Sequence, residues 1–166
     1  MLETYTDGEM RIRFGGWRWN NIPVPRTHAT VLVAGIYLQR RLPWTIPADE
    51  ARWQLFGWAL VASGALVVAS SVTVAGETRM ERPHRLIAEG PYAHSRNPMY
   101  VAWTLVYLGI AIASRTVWLF LALPAVVLAT HGVVLREERT IEERFGDEYR
   151  EYANRVPRYL SLPDLR

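Results

Sequence analysis

Two short stretches carry the side chains of this chain that could do chemistry, and the first is 89–100. Its Gly90-Pro91 pair is typical of a turn. Asn97-Pro98 has the form of a helix start, with Asn at the N-cap and Pro at the first helical position. The free N–H groups of such a helix end attract an anion, and Arg96 adds a positive charge beside them. The stretch indicates an anion-binding corner, although an ordinary capped helix beside an interfacial Arg has the same pattern.

The second stretch is Glu137-Glu138, which directly follows a long apolar run. Two adjacent carboxylates at a membrane boundary are costly unless they are solvated, paired or holding a cation. His131 lies seven residues before Glu138, nearly two helical turns, so the two side chains project from about the same face. A solvated helix start would also explain the pair, so its meaning depends on what lies beside it.

Four apolar runs must position these residues. Charge-free stretches of 24, 18 and 20 residues cover 53–76, 97–114 and 116–135, and a bilayer core needs about 20 apolar residues in a helix. A run of 13 residues, 27–39, reaches a spanning length only with Arg40-Arg41, whose side chains can snorkel to the interface. The sequence therefore predicts an all-α integral membrane bundle of about four transmembrane helices, at 27–42, 53–76, 98–114 and 116–135.

After the last span, 136–153 has the pattern of an amphipathic cytoplasmic helix. Its apolar and aromatic residues recur at helical spacing and its charges lie on the other face. Gly146 interrupts this pattern at a cost of about 1 kcal/mol relative to Ala. Within the preceding span, Pro124 predicts a kink.

The basic residues distinguish the two sides of the predicted bundle. All 19 of them are Arg, and 15 fall in the N-terminal segment, the loop 77–97 and the C-terminal tail, which share one side. The other side holds Arg40, Arg41, Arg52 and Arg115. By the positive-inside rule, both termini and the two chemical stretches are expected to be cytoplasmic.

Composition narrows the classes of function. The absence of Cys excludes disulfides, Cys-based zinc sites and a thiol nucleophile, and no metal is expected. No basic run is interleaved with base-stacking aromatic residues, so nucleic acid is not an expected partner. The segment 1–26 mixes Trp and Arg, which favours the membrane interface, and has no apolar stretch long enough for a secretory signal.

The last two spans are close in sequence, which decides how the two chemical stretches meet. Only the tripeptide Ser114-Arg115-Thr116 joins them, so they should form a tight antiparallel hairpin. Arg96-Asn97 and Glu137-Glu138 then emerge at the same cytoplasmic edge. An anion-binding group beside a cation-binding group suits a zwitterionic ligand such as S-adenosylmethionine, which has a carboxylate, an ammonium and a sulfonium.

An ordered set of motifs in 90–158 resembles the isoprenylcysteine carboxyl methyltransferase family, which has relatives among membrane phospholipid methyltransferases. The motifs are Gly90-Pro91-Tyr92, Arg96-Asn97-Pro98-Met99-Tyr100, Glu137-Glu138, Phe145-Gly146-Asp147-Glu148-Tyr149 and Val156-Pro157-Arg158. The resemblance implies that S-adenosylmethionine binds in a cytosolic pocket of the C-terminal half, while a lipophilic or lipid substrate enters from the bilayer. Carried over to this chain, it implies a cofactor site lined by Tyr92, His94, Arg96, Asn97, Pro98, Tyr100, Glu137 and Glu138.

The chain departs from the commonest family pattern at two positions. Asn97 stands where that pattern has His, and Ala102 stands where it has Gly. The Asn amide can donate and accept hydrogen bonds but cannot titrate near neutrality, so a role that needs an imidazole there is excluded. The departures loosen the inference to prenylcysteine as the acceptor.

The resemblance divides the chain by role. Residues 1–26 form an interfacial segment, and 27–76 form two transmembrane helices on the substrate side. Residues 77–166 form the cofactor-binding half, with the transmembrane hairpin 98–135 and the cytoplasmic helix 136–153.

The acceptor decides which residues are catalytic. A carboxylate is already nucleophilic, so an Arg would hold it, and Arg158 and Arg136 are the candidates. An amine, hydroxyl or thiol would need a base, for which His131 or Glu138 is the candidate. Carboxylate O-methylation is the favoured reaction. The alternatives are an NADPH-dependent enzyme similar to sterol reductases, and a non-catalytic membrane scaffold or carrier.

Overall fold

The computed structural model describes residues 25–76 and 85–160, in which the regular elements are helices. The predicted interfacial segment, 1–26, lies almost wholly outside the described residues. A short 3-10 helix, Gly90–Ala93, precedes the third α-helix. The five α-helices are α1 Arg26–Arg41, α2 Glu50–Ala75, α3 Pro98–Ser114, α4 Val117–Phe145 and α5 Asp147–Arg155.

Two of these helices are long and apolar enough to cross a membrane. They are α2 and α4, with 26 and 29 residues, whereas α3 is apolar but has 17 residues and α1 has 16. Large apolar side chains face outward on both long helices, and Leu55, Leu66 and Leu128 are each more than two thirds exposed. Lipid, rather than water, suits such surfaces. Two spans are therefore supported, and the four-span arrangement stays a prediction.

Glycines set the distance between α2 and α3, the most extensively packed pair of helices among the described residues. A Cβ atom on Gly57 would lie 2.5 Å from the backbone nitrogen of Ala113, and one on Gly109 would lie 2.6 Å from the carbonyl oxygen of Gly57. Small residues that let two backbones touch are typical of helix pairs in membranes. The sequence predicted α3 to pair tightly with α4, but its closest partner is α2.

α4 packs against α1 as well as α3. Gly35 of α1 lies against the side chain of Leu119, with no room for a Cβ atom. The carbonyl oxygen of Leu119 accepts a 2.9 Å hydrogen bond from the hydroxyl of Tyr107, a buried residue of α3. Three helices thus meet near the start of α4.

Two connections close one end of the bundle. Backbone hydrogen bonds join Ile46 to Arg115 and Val117 to Trp44, so the α1–α2 loop lies beside the α3–α4 turn. Arg115 takes a left-handed conformation, with φ of 53°, which lets the chain reverse within two residues. Trp118 packs edge-on against Trp44. Tryptophan favours membrane interfaces. The chain therefore reverses between α3 and α4, at the tripeptide where the sequence predicted a turn.

The C-terminal region belongs to two helices and does not form the single predicted helix 136–153. α4 runs without interruption from Val117 through Pro124 to Phe145. The helix ends at Gly146, whose φ is 54°. A glycine adopts this conformation at little cost, so it separates α4 from α5. The amphipathic pattern therefore belongs to two elements. Its aromatic face buries Tyr149, Tyr152 and Val156, against which Leu86, Ile141 and Phe145 pack.

Candidate functional site

Glu138 lies at the centre of a polar cluster near the start of α3. Its Oε1 accepts a 2.8 Å hydrogen bond from Asn97 Nδ2 and lies 3.6 Å from Arg96 Nε. Its Oε2 accepts a 2.9 Å bond from Arg158 Nε. We call Arg96, Asn97, Glu138 and Arg158 the Glu138 cluster. The predicted meeting of Arg96-Asn97 with Glu138 is what the structure shows.

Asn97 occupies the N-cap position of α3, as predicted, and Pro98 is the first helical residue. The Asn97 side chain does not cap the helix, however. Its Nδ2 instead donates to both Glu138 and the carbonyl oxygen of Arg158, at 2.8 and 3.1 Å. An amide nitrogen carries two protons, so one side chain joins α4 to the C-terminal segment. No titratable group is needed for this role.

Arg96 is held on several sides. Its backbone N–H donates to Pro157 O at 2.9 Å, and its Nη1 donates to the hydroxyl of Tyr149 at 3.4 Å. The guanidinium carbon lies 5.9 Å from the centre of the Tyr149 ring, a cation–π distance. Its buried Nε has no hydrogen-bond partner among the described residues, because Glu138 is too far for one. The cluster therefore has spare capacity to donate to a further acceptor.

The C-terminal segment 156–160 crosses the start of α3. Its backbone accepts bonds from Arg96, Ser95 and Asn97, and its Arg158 side chain binds Glu138. The family-like motif Val156-Pro157-Arg158 pointed to this segment, but nothing in its spacing showed where it would lie. Sequence reasoning also gave no role to Tyr149, although it belongs to a quoted motif.

A second group of polar residues lies beside the Glu138 cluster, nearer to the apolar part of α4. Tyr100 donates a 2.8 Å hydrogen bond from its hydroxyl to Glu137 Oε1. The hydroxyl of Tyr159 lies 2.8 Å from Nδ1 of His131. Tyr100 and Tyr159 also interact electrostatically, which places the two pairs near each other. We call Tyr100, His131, Glu137 and Tyr159 the His131 cluster.

A pocket of about 490 Å³ opens beside the Glu138 cluster, between the end of α4 and α5. Charged groups of both signs face it, together with the Tyr149 ring. Its lining residues are Arg96, Leu135, Glu138, Arg139, Glu142, Tyr149, Arg150, Ala153, Asn154 and Arg158.

The tyrosines of this region keep their protons at neutral pH. Burial, with the charge of Glu138, raises the pKa of Tyr149, and the charge of Arg96 opposes this only in part. Burial also raises the pKa of Tyr159, while Arg158 lowers it and Glu138 raises it. Both phenols are therefore hydrogen-bond donors.

Four predicted residues are outside both clusters, and one of them, Pro98, is the buried first residue of α3. Arg136 is exposed on α4 and does not line the pocket. His94 is exposed, and its Nδ1 lies 3.3 Å from the carbonyl oxygen of Gly90 in its own turn. Tyr92 is buried, and its carbonyl oxygen accepts a 2.7 Å bond from the hydroxyl of Tyr152, so it connects α5 to the 3-10 helix.

Comparison with known proteins gives this arrangement a family. Residues 53–148 match the model of the phospholipid methyltransferase family, and the chain belongs to that family. The match contains α3, α4 and all of α2 except its first three residues, and it includes Arg96, Asn97 and Glu138. The predicted relationship is confirmed.

One similar protein is protein-S-isoprenylcysteine O-methyltransferase B of Arabidopsis thaliana. It is 27% identical to the chain over 128 residues, which are 67% of the chain. The matched region is 61% of the plant protein, so the chain spans less than two thirds of that relative.

Proposed function

We propose that the chain is an integral membrane methyltransferase that uses S-adenosylmethionine and methylates a carboxylate on a lipophilic acceptor. Membership of the phospholipid methyltransferase family supports the reaction class. The observation that carries the site is the pocket beside the Glu138 cluster, whose lining includes Arg96 and Arg158, both paired with Glu138.

The residues of the pocket fit the cofactor by size and charge. Its volume of about 490 Å³ lies in the range typical of small-molecule sites. Arg96 Nε lies 3.6 Å from Glu138 Oε1, an ion-pair distance but too long for a hydrogen bond, so this buried donor is still available to the cofactor's carboxylate. Arg96 would hold this carboxylate, with Tyr149 beside it. The carboxylate of Glu142, one oxygen of which pairs with Arg150 Nε at 3.0 Å, would attract the positive charges of the ligand.

Glu138 takes a different role from the one expected of a cation ligand. Both of its oxygens already accept hydrogen bonds, from Asn97 and from Arg158. Its charge orients the two arginines toward the pocket and compensates their burial. In this account Glu138 is a positioning residue for the groups that bind the cofactor.

The candidate bases are already hydrogen-bonded within the protein, which favours a carboxylate acceptor. His131 is paired with Tyr159, Glu137 accepts from Tyr100, and Glu138 is bonded on both oxygens. A protic acceptor would need one of these groups to take its proton, whereas a carboxylate needs none. When bound, S-adenosylmethionine would supply an electrophilic methyl group, which a carboxylate oxygen would take as the C–S bond breaks and its electron pair stays on sulfur.

The role of the protein is then alignment and exclusion of water. Arg158 is the candidate for holding the acceptor carboxylate, since its Nε is fixed by Glu138 and its side chain is 36% exposed. Arg136, the other candidate, is exposed away from the pocket lining and is dropped from the proposal. A displacement between two oriented partners gains most of its rate from such positioning.

Methyl transfer to a membrane lipid extract tests this proposal. The purified protein in detergent receives S-adenosylmethionine with a labelled methyl group, and the lipid product is treated with alkali. We expect the label to be released as volatile methanol, because alkali cleaves a methyl ester. Phosphatidylethanolamine vesicles are the control substrate.

The alkali step makes the outcome specific to the bond formed. Label that stays non-volatile after alkali, or that appears on phosphatidylethanolamine, would show transfer to an atom other than a carboxylate oxygen and contradict the carboxylate. The absence of any labelled lipid would contradict methyl transfer itself.

A further inference from the structure

His131 is an ionisable residue in an apolar stretch of α4, and the described residues around it explain its place only in part. α4 is one of the two helices able to span a membrane, and its neighbouring side chains Val127 and Leu128 face outward. Ionisable residues at such positions are costly and mark functional sites by default. The bond to Tyr159 satisfies one of its two ring nitrogens.

Tyr159 connects this position to the pocket. It follows Arg158, whose Nε is fixed by Glu138, so consecutive residues bind the Glu138 cluster and the His131 cluster. Tyr159 and His131 are both partly exposed, and the next residue, Leu160, is 64% exposed. Tyr159 and Arg158 are therefore both open to a molecule that approaches this part of α4.

The chemistry of the pair defines what it can bind. Burial raises the pKa of the Tyr159 hydroxyl, so it keeps its proton. When Nδ1 of His131 carries a proton and donates it to the phenol oxygen, the phenol O–H is left to donate elsewhere. An anion beside Arg158 is the natural acceptor of that bond, because bonds to charged groups are the stronger ones.

We propose that Tyr159, oriented by His131, binds the carboxylate of the lipophilic acceptor together with Arg158. Tyr159 would then be an acceptor-binding residue and His131 a positioning residue acting through it. This inference rests on the proposed function, and it replaces the expectation that His131 is a general base.

The test uses N-acetyl-S-farnesylcysteine as a lipophilic carboxylate and its carboxamide as the matched neutral probe. Binding of each to the full chain in detergent, and of S-adenosylhomocysteine, is measured by calorimetry. Tyr159→Phe should weaken carboxylate binding about tenfold or more, as for a lost bond to a charged group. The affinities of Tyr159→Phe for the carboxamide and for S-adenosylhomocysteine should change by less than about twofold, which counts as no effect.

The control and the positioning role need four further variants. Tyr37→Phe removes a phenol hydroxyl from an exposed position on α1 and should leave all affinities unchanged. His131→Leu should weaken carboxylate binding as Tyr159→Phe does, and the double variant should be no weaker than either. His131→Asn, whose amide can still donate to Tyr159, should restore part of the loss.

The outcomes separate the two proposals. Equal carboxylate affinity in Tyr159→Phe and the wild type would overturn this assignment, and so would a wild type that does not prefer the carboxylate to the carboxamide. Loss of S-adenosylhomocysteine binding in Tyr159→Phe would also overturn it, because the residue would then serve the cofactor. Failure of the wild type to methylate any lipid would reject the proposed function itself.

Discussion

Glu138 is a charged residue with a side chain only 9% exposed, and it is stable there because of its neighbours. Asn97 and Arg158 each donate to a different oxygen, and Arg96 adds a second positive charge at 3.6 Å. A buried ion pair contributes little net stability compared with an apolar replacement. Removing one partner is different, because the remaining charge is left buried and uncompensated.

We expect Glu138→Ala to destabilise the protein by about 3–5 kcal/mol, since Arg96 is 13% exposed and would lose its counter-charge. The matched control is Glu50→Ala, which breaks the Arg115–Glu50 pair at 3.0 Å, where Glu50 is 63% exposed. That change should cost at most about 1 kcal/mol. Equilibrium unfolding in detergent measures both. Equal losses in the two variants would show that Glu138 does not compensate buried charge.

How far the sequence predicted the site differs between its residues. Arg96, Asn97 and Glu138 could be brought together because a short hairpin between two apolar runs leaves little freedom at its open end. Tyr159 could not be connected with His131, since the path of 156–160 depends on the break at Gly146 and on tertiary bonds to Arg96. The side chain of Asn97 was equally ambiguous, because capping and tertiary bonding need the same residue type.

At the scale of elements, the contact between α2 and α3 holds the site's first helix in place. Gly57 and Gly109 each face backbone atoms of the other helix at 2.5–2.6 Å from an ideal Cβ, so neither position has space for a methyl group. Backbone atoms cannot rotate away as a flexible side chain can. The pair must therefore separate if either glycine is replaced.

Gly57→Ala and Gly109→Ala should each destabilise the protein by about 1–3 kcal/mol through overpacking. Gly132 is the matched control, since a Cβ there meets nothing within 4 Å in the described structure. Gly132→Ala should be neutral or stabilising by up to about 1 kcal/mol, because Ala has the higher helix propensity. Thermal unfolding in detergent, followed by circular dichroism, compares the three. A loss at Gly132 as large as at Gly57 would contradict the close-contact account.

The observed helix boundaries show how far charge-free runs in the sequence predict where helices begin and end. The run 53–76 predicted the apolar part of α2 well, and 98–114 is the extent of α3. The boundary at Leu135 was misleading, because α4 continues for ten residues as a charged helix. Charged residues mark where an apolar environment ends, whereas a helix ends where the backbone conformation changes, here at Gly146.

At the scale of the whole molecule, the pocket and both clusters lie at the Arg-rich end of the bundle. The opposite end is closed by the loop 42–49 and the turn at Arg115, where Trp44 and Trp118 pack. A cofactor dissolved in water and an acceptor dissolved in lipid would meet at the first end. The glutamates, arginines and tyrosines found there have the chemistry to bind polar ligands, while the outer faces of α2 and α4 are apolar.

The central claim is that this end binds S-adenosylmethionine, and the most direct test is calorimetric titration of the wild type with S-adenosylhomocysteine. NADPH is the comparison, since a reductase similar to those acting on sterols would prefer it. The account predicts saturable binding of S-adenosylhomocysteine and its loss in Arg96→Met, which removes the proposed carboxylate donor. Binding of NADPH in place of S-adenosylhomocysteine, or undiminished binding in Arg96→Met, would contradict it.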